Sequence, residues 1–517
     1  MRAASVHRYG AAGRPKAGEL VARDLAAQIV SHQLRPGERF PGEAELIAQY
    51  GVSRAVLREA MRILEWYGLV TIRRGRQGGA VAHAPDPEVA ARYAALVFQA
   101  RRVTLHDFDL ALEALEPEVV ALLSRRRHDA RLDLLDRAVE YERASLEDPT
   151  EFLIAALRIH TALLVAVDNP VLAALGAVLA EIRERRQLSP LANPVPPSRV
   201  QDRRAESHAD HVEVIRRIRS GAALRASELW RHHLRWTGQV LPTVDATTIL
   251  DLFERGITGS EWILRGGPGR RPSRLPTGAS IVAGEIRGRI LRGELPEGAS
   301  IPNEAELMQH FGFSRATVRE GLRLLEVDHL VRPRRGPRGG GTVTAPSIQA
   351  AGWQLGLLAQ HAGATVSHVL DARLLLERVA AATLSCARMT AMADDVRAAA
   401  RRVAHASTGR AEAACQLADL IVEGSPNATL SLLHELTRPL LDVVATAKVA
   451  DRRRRVSRSK VVAEVEAVLD AAASGEQAAL TTRVASLSST LHRIARPSGD
   501  QPIDVFAAPE AEGTMTS

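Results

Sequence analysis

The chain has 517 residues, 46% of them hydrophobic, which is too long for one core and asks for roughly three or four domains. Basic residues outnumber acidic ones by 68 to 60, and all of the basic ones but Lys16, Lys448 and Lys460 are arginine, a surplus too small to point to nucleic acid by itself. Two cysteines, Cys386 and Cys415, exclude a disulfide framework or a cysteine zinc finger, and a reducing, cytoplasmic setting is expected.

Residues 1–17 carry basic side chains with no apolar run behind them, so they read as a disordered tail and not as a secretory signal. Helical periodicity opens near Glu19, with Leu20, Ile29 and Val30 on one stripe, and stops where Pro36, Gly37 and Pro41 break it. A second helix is expected to about Tyr50. Gly51 supplies a tight turn, Ser53 is placed to cap a third helix, and Val56, Leu57, Ala60, Ile63 and Leu64 face inward while Arg54, Arg58 and Arg62 face out. Gly68 ends that helix, and LVTIRRGRQGGAVAH follows as two short strands around a basic, glycine-rich tip, the outline of a wing.

Residues 18–84 are therefore predicted to be a winged helix-turn-helix, and 88–243 an all-helical domain with LANPVPPSRV as an internal loop. The apolar stretch 161–180 is interrupted by Asp168, Asn169 and Pro170, so no membrane partner is expected. Residues 244–277, which include RGGPGRRPSRLP, read as a linker. The plan then repeats: a second winged helix-turn-helix over 278–346, a second all-helical domain over 350–496, and a disordered tail over 497–517.

The repeat is explicit. PGEAELIAQYGVSRAVLREAMRILEWYGLV at 41–70 returns as PNEAELMQHFGFSRATVREGLRLLEVDHLV at 302–331, and Ser314 follows Ser53, as Glu377 follows Glu116, by 261 residues. The predicted fold class is mainly α: two winged helix-turn-helix domains, α with a small β-hairpin wing, each followed by an all-α helical-bundle domain. A helix N-terminus bearing Ser and two Arg four residues apart can grip phosphate and donate two bonds to guanine. One such stretch is more often a solvated arginine face, but helix, turn, capped helix and basic hairpin recur here in order.

Both segments resemble the winged helix-turn-helix of GntR-family bacterial transcription regulators, through PGE or PNE before EAEL, then GVSR or GFSR, VLREA or TVREG, and RRG at the wing. The resemblance implies dimeric binding to short palindromic operators. It also implies DNA contacts at Ser53, Arg54, Arg58, Arg74 and Gly75, and at Ser314, Arg315, Arg319, Arg335 and Gly336. Ala44 and Ala305 stand where some members carry a DNA-contacting arginine. His329 replaces the capping glycine of the second head, and Gly321 costs its recognition helix about 1 kcal/mol relative to alanine, so that head is expected to be the looser one.

His160, His211 and His233 lie on three separate predicted helices and could hold a divalent metal through neutral imidazoles, although helical histidines are more often surface or satisfied core residues. The first helical region resembles the FCD effector-binding domain of the FadR-type subfamily, through LEPEVVALLS, IHTALLVAVDNPVL and HVEVIRRIRSGAALRASELWRHHL. That resemblance places His160, His211 and His233 on the family's metal ligands. Ala156 stands at the fourth ligand, an aspartate, and Leu112 at the arginine four residues before Glu116. In the second copy Ala418, Val465, Leu487 and Ala414 occupy the four ligand positions, whereas Arg373 keeps the arginine and is the effector-binding candidate. One divalent metal ion, zinc or similar, is expected in the first helical domain and none in the second.

The expected function is a cytoplasmic transcription regulator, most simply a repressor, responsive to a small carboxylate. Its two heads would form an intramolecular pseudo-dimer on double-stranded DNA with a palindromic operator, and two chains could further pair as a homodimer. The chain is not expected to be an enzyme, because no general base stands beside the histidines. The alternatives are an effector-independent architectural DNA-binding protein and, more remotely, a metal-dependent hydrolase tethered to DNA.

Overall fold

The computed structural model describes residues 17–73, 79–126, 129–188, 203–240, 278–328, 330–333, 340–406, 409–441, 456–496, 501–503 and 505. Head 1 contains α1 (Ala17–Val30), α2 (Glu43–Tyr50) and α3 (Arg54–Trp66), followed by an antiparallel pair, β1 (Val70–Arg73) and β2 (Gly79–Ala82), in which Val70 faces Ala82. Gly51 and Gly68 take left-handed backbone, φ 62° and 70°, which glycine adopts without a Cβ penalty, so both turns fall where the sequence places them. Leu25, Ile29, Leu46, Leu57 and Leu64 close the core.

The first helical domain comprises α4 (Pro87–Ala100), α5 (Leu105–Arg126), α6 (Asp129–Ala144), α7 (Pro149–Ala166), α8 (Pro170–Leu188), α9 (Arg204–Ser220) and α10 (Ala223–Val240). Head 2 repeats head 1 with α11 (Gly278–Leu291), β3 (Ser300–Ile301), α12 (Glu304–Phe311), α13 (Arg315–Val327), β4 (Val331–Pro333) and β5 (Gly341–Val343). Its sheet has the order β3-β5-β4, and the counterpart of β3 in head 1 is a single bridge between Arg39 and Val81. The second helical domain holds α14 (Ile348–His361), α15 (Val366–Thr383), α16 (Cys386–Ala391), α17 (Ala393–His405), α18 (Arg410–Glu423), α19 (Ala428–Leu436), a 3-10 turn (Arg438–Leu440), α20 (Arg458–Ala473) and α21 (Gln477–Ala495).

Two expectations need correction. A Cβ on Gly321 would stand 2.8 Å from Val282 Cβ and 2.9 Å from the Ala279 carbonyl oxygen, so this glycine lets α13 approach α11 closely and is no sign of a loose head. Gly321→Ala is accordingly expected to destabilise head 2 by about 1–2 kcal/mol, overpacking outweighing the helix-propensity gain of about 1 kcal/mol, as read from thermal unfolding. The tail over 497–517 is not disordered throughout. Val366 N donates to the Gln501 carbonyl (2.8 Å), Ile503 N to the Ala364 carbonyl (3.0 Å) and Val505 N to Gln360 Oε1 (3.0 Å). His329, residues 1–16 and the linker 244–277 lie outside the described residues.

The halves meet about an approximate two-fold. Helix α4 packs on α14, and the amide of Asn169 donates to the His368 carbonyl (2.9 Å) while that of Asn427 donates to the Asp107 carbonyl (2.8 Å). His368 follows Asp107 by the repeat interval of 261 residues, and each asparagine also caps the helix after it through Oδ1. Reciprocal contacts of this kind define an isologous, dimer-like interface, here within one chain. The heads are crossed over it: α1 of head 1 rests on α14, and α11 of head 2 rests on α4.

Candidate nucleic-acid interface and metal centre

Ser53 and Ser314 cap the two recognition helices in extended backbone. Ser53 Oγ accepts from Val56 N at 3.3 Å and Ser314 Oγ from Thr317 N at 3.2 Å. This leaves the first turn of each helix pointing to solvent with its arginines. The side chains of Arg54, Arg58, Arg315 and Arg319 are 61–67% exposed.

In both heads a carboxylate from the preceding helix holds these guanidinium groups. Glu43 takes Arg54 Nε at 2.8 Å and Nη2 at 3.1 Å, with Arg58 Nε at 3.4 Å. Glu304 takes Arg319 Nε at 2.8 Å and Arg315 Nε at 3.6 Å. The arginine hydrogen bonds pull the Glu43 carboxyl below its ordinary range. The two glutamates sit at the third position of PGE and PNE, whose role the sequence did not reveal. Glu43→Gln is expected to free Arg54 for indiscriminate phosphate contact, raising affinity for random duplex by about two- to fivefold, as titration against fluorescent random DNA would read. The wing-tip residues Arg74, Gly75, Arg335 and Gly336 lie outside the described residues.

The helices α7, α9 and α10 bring His160, His211 and His233 together, one ligand atom from each lying within 4.8 Å of the others. Every ring is oriented by a carboxylate on Nδ1: Glu116 on His160 (2.7 Å), Glu142 on His211 (2.7 Å) and Asp210 on His233 (3.2 Å). Nε2 is thereby left for a ligand, and the Nε2 atoms of His211 and His233 stand 3.0 Å apart. Burial drives the His160 imidazole down to about 4 and lowers that of His233, so both are neutral near pH 7. Rings whose Nδ1 atoms face carboxylates and whose Nε2 atoms converge are arranged as the ligands of a divalent cation are.

Glu116 is itself buried, yet its carboxyl is held down at about 2 because the cost of burial is exceeded by the Arg183 guanidinium and His160. Arg183 on α8 thus supplies the guanidinium missing at Leu112. Trp230 Nε1 also donates to Glu116, at 3.0 Å, and its ring stacks on His233 with centroids 5.0 Å apart. Ala156, where the fourth ligand was expected, offers no donor atom.

Comparison with known proteins settles the family. The model of bacterial regulatory proteins of the gntR family matches twice, at residues 18–78 and 279–342, and the FCD domain model matches at 110–235. The chain belongs to the GntR family. It is a tandem duplicate and a DNA-binding transcription regulator, not an enzyme. The HTH-type transcriptional repressor NanR of Citrobacter rodentium is 26% identical over 222 residues, covering 43% of this chain and 84% of that protein. NanR of Salmonella typhimurium is 26% identical over 226 residues, 43% of this chain and 82% of its own. A solved structure of Streptococcus agalactiae GntR aligns with 43% of this chain and 99% of its own at 20% identity and a TM-score of 0.33.

The second helical domain of this GntR-family chain has replaced the metal positions with apolar packing: Ala414, Ala418, Val465 and Leu487 are all buried. Arg373, the effector-binding candidate, faces inward and is wholly buried, bound to Asp419 and, at 2.7 Å, to Thr437 Oγ1. Nearby, His434 and His492 contact Glu377 at 3.4 and 3.0 Å, and the histidine contacts outweigh burial in lowering that carboxyl below its usual range. Arg373 is therefore committed to a polar core rather than presented to a ligand.

Proposed function

We propose that the protein is a metabolite-responsive repressor whose two heads, joined in one chain, read the two halves of a palindromic operator. The observation that carries this is the doubled reading face: two capped recognition helices with arginines held by glutamates, mounted about one pseudo-two-fold. The related NanR proteins are repressors, which supports the sign of regulation. Among the described residues no helix is long and apolar enough to cross a membrane, which accords with a cytoplasmic site of action. Selection from random duplexes followed by footprinting tests the operator. Two related half-sites are expected, bound by one chain as judged from solution mass. A single protected half-site, or two unrelated ones, would count against it.

His160, His211 and His233 would hold one divalent ion, zinc or similar, with the three protein ligands leaving coordination positions for a small carboxylate effector. The buried Trp230 ring against these histidines favours a second reading, an architectural DNA binder that takes no effector. Zinc at about a hundred times its dissociation constant is expected to stabilise the protein by about 2.7 kcal/mol, seen as a rise in Tm that His211→Ala removes. A further rise with a small carboxylate only when zinc is present supports the effector reading. Absence of any carboxylate response favours the architectural one.

A further inference from the structure

The two junctions between heads and helical domains use equivalent positions and opposite chemistry. At the head 1 junction, Tyr67 meets Trp353 with ring centroids 4.0 Å apart. By the repeat interval, Tyr67 corresponds to Asp328 and Trp353 to Arg92, and these two face each other at the head 2 junction, with Arg92 Nε 3.8 Å from Asp328 Oδ1. Asp328 is buried, only 7% exposed, and Arg287 of α11 holds its other oxygen with Nε at 3.1 Å. One junction is made by ring contacts, Tyr67 on Trp353 and His32 on His361 (centroids 4.3 Å), with His32 Nε2 3.2 Å from the His361 carbonyl oxygen; the other is a buried carboxylate shared by two arginines.

The packing around them differs in the same sense. Val282, Ile286 and Leu325 of head 2 belong to an apolar cluster continuous with Leu96 and Phe98 of α4. Head 1 has a separate core that reaches the helical domains through Leu357, Trp353 and Val505.

We infer that Arg92 is a positioning residue that fixes the angle of head 2 on the first helical domain, so that a change in the histidine-bearing domain reaches head 2, the head from the other half of the chain, before head 1. The route is contiguous. Arg92 lies on α4, which packs on α8; α8 carries Arg183, which holds Glu116 beside His160. Helix α8 also touches α14 beneath head 1, but there the head keeps a core of its own and the equivalent positions are Tyr67 and Trp353, joined by ring contact, where head 2 has the Arg92–Asp328 ion pair. Coupling of this sort needs packed or charged elements that the two parts share. The positioning role stands on the junction alone; only its link to ligand binding rests on the metal reading above.

Hydrogen exchange of the full chain, followed by mass spectrometry, tests it. Without metal, Arg92→Met is expected to speed exchange in α11 and α13 by about twofold to tenfold and to leave α1 and α3 unchanged. Arg92→Lys should restore most of the protection, and Trp353→Ala should give the opposite pattern, loosening head 1 alone. With zinc added to the wild-type chain, slowing is expected at α5, α9 and head 2. In Arg92→Met the slowing should persist at α5 and α9 and vanish from head 2. Equal change in both heads, no change in head 2, or a general loss of protection reaching α20 would overturn the inference. Zinc that fails to bind would sink the metal reading, and the metal-free comparison would still decide the role of Arg92.

Discussion

A chain carrying Arg54→Ala and Arg315→Ala together is expected to lose sequence-specific DNA binding, and each substitution alone to weaken it by about 5- to 150-fold. Both side chains are mostly exposed, each beside a glutamate on the preceding helix, so the fold should be unaffected and far-ultraviolet circular dichroism unchanged. A guanidinium donating two bonds to guanine is replaced by a methyl group that donates none. The single substitutions should have similar effects because the cap and the two arginines match between heads, although the glutamate at the equivalent position hydrogen-bonds the first arginine in head 1 and the second in head 2. Their combination should cost more than either, since one intact head still binds while the covalent link holds the other near its half-site. Anisotropy titration with operator and scrambled duplex at fixed salt reads all three chains, and steep weakening with salt is expected throughout. If Arg315→Ala leaves affinity untouched while Arg54→Ala reduces it, head 2 does not read DNA and the two-headed operator model fails.

What the sequence made legible was local. A serine before an arginine-bearing amphipathic run is a cap wherever it occurs, and Gly51 and Gly68 mark left-handed turns because only glycine adopts that backbone without strain, so helix boundaries in head 1 could be placed by inspection. The three histidines were legible as a set for a different reason, their match to a family pattern, and the structure brings them together. What escaped was everything set by distant partners. Arg183 replaces the guanidinium absent at Leu112, but it comes from another helix, with nothing in its own neighbourhood to announce the role. Glu142, which orients His211, is equally remote in sequence. Gly321 looked like a weakness because helix propensity is local, whereas the space it leaves is claimed by Val282. The crossing of the heads had no sequence signal at all, because it depends on which helical surface each head meets.

Arg373 is where family pattern and packing part most sharply, and Arg373→Ala is expected to lower stability by about 3–5 kcal/mol without altering effector response. Its guanidinium is entirely buried between Asp419 and Thr437, so truncation leaves a buried carboxylate facing a cavity. Two neighbours soften the loss: Arg438 lies 3.4 Å from Asp419 Oδ2 and His434 Nδ1 lies 3.7 Å from Oδ1. The half-exposed Arg438 can swing inward, which places the expected value toward the lower end of that range. The damage comes from the orphaned charge, not from the net worth of the pair, so removing both partners should hurt less than removing one. Arg373→Met with Asp419→Leu is therefore expected to recover much of the stability lost in Arg373→Ala, as urea midpoints and a double-mutant cycle would reveal. An effector-binding arginine would behave in the opposite way: truncation would cost little stability, since relieving an unpaired buried cation is favourable, and would abolish the ligand response. Because the two outcomes move stability and response in contrary directions, one variant measured both ways distinguishes a structural polar core from a second sensor.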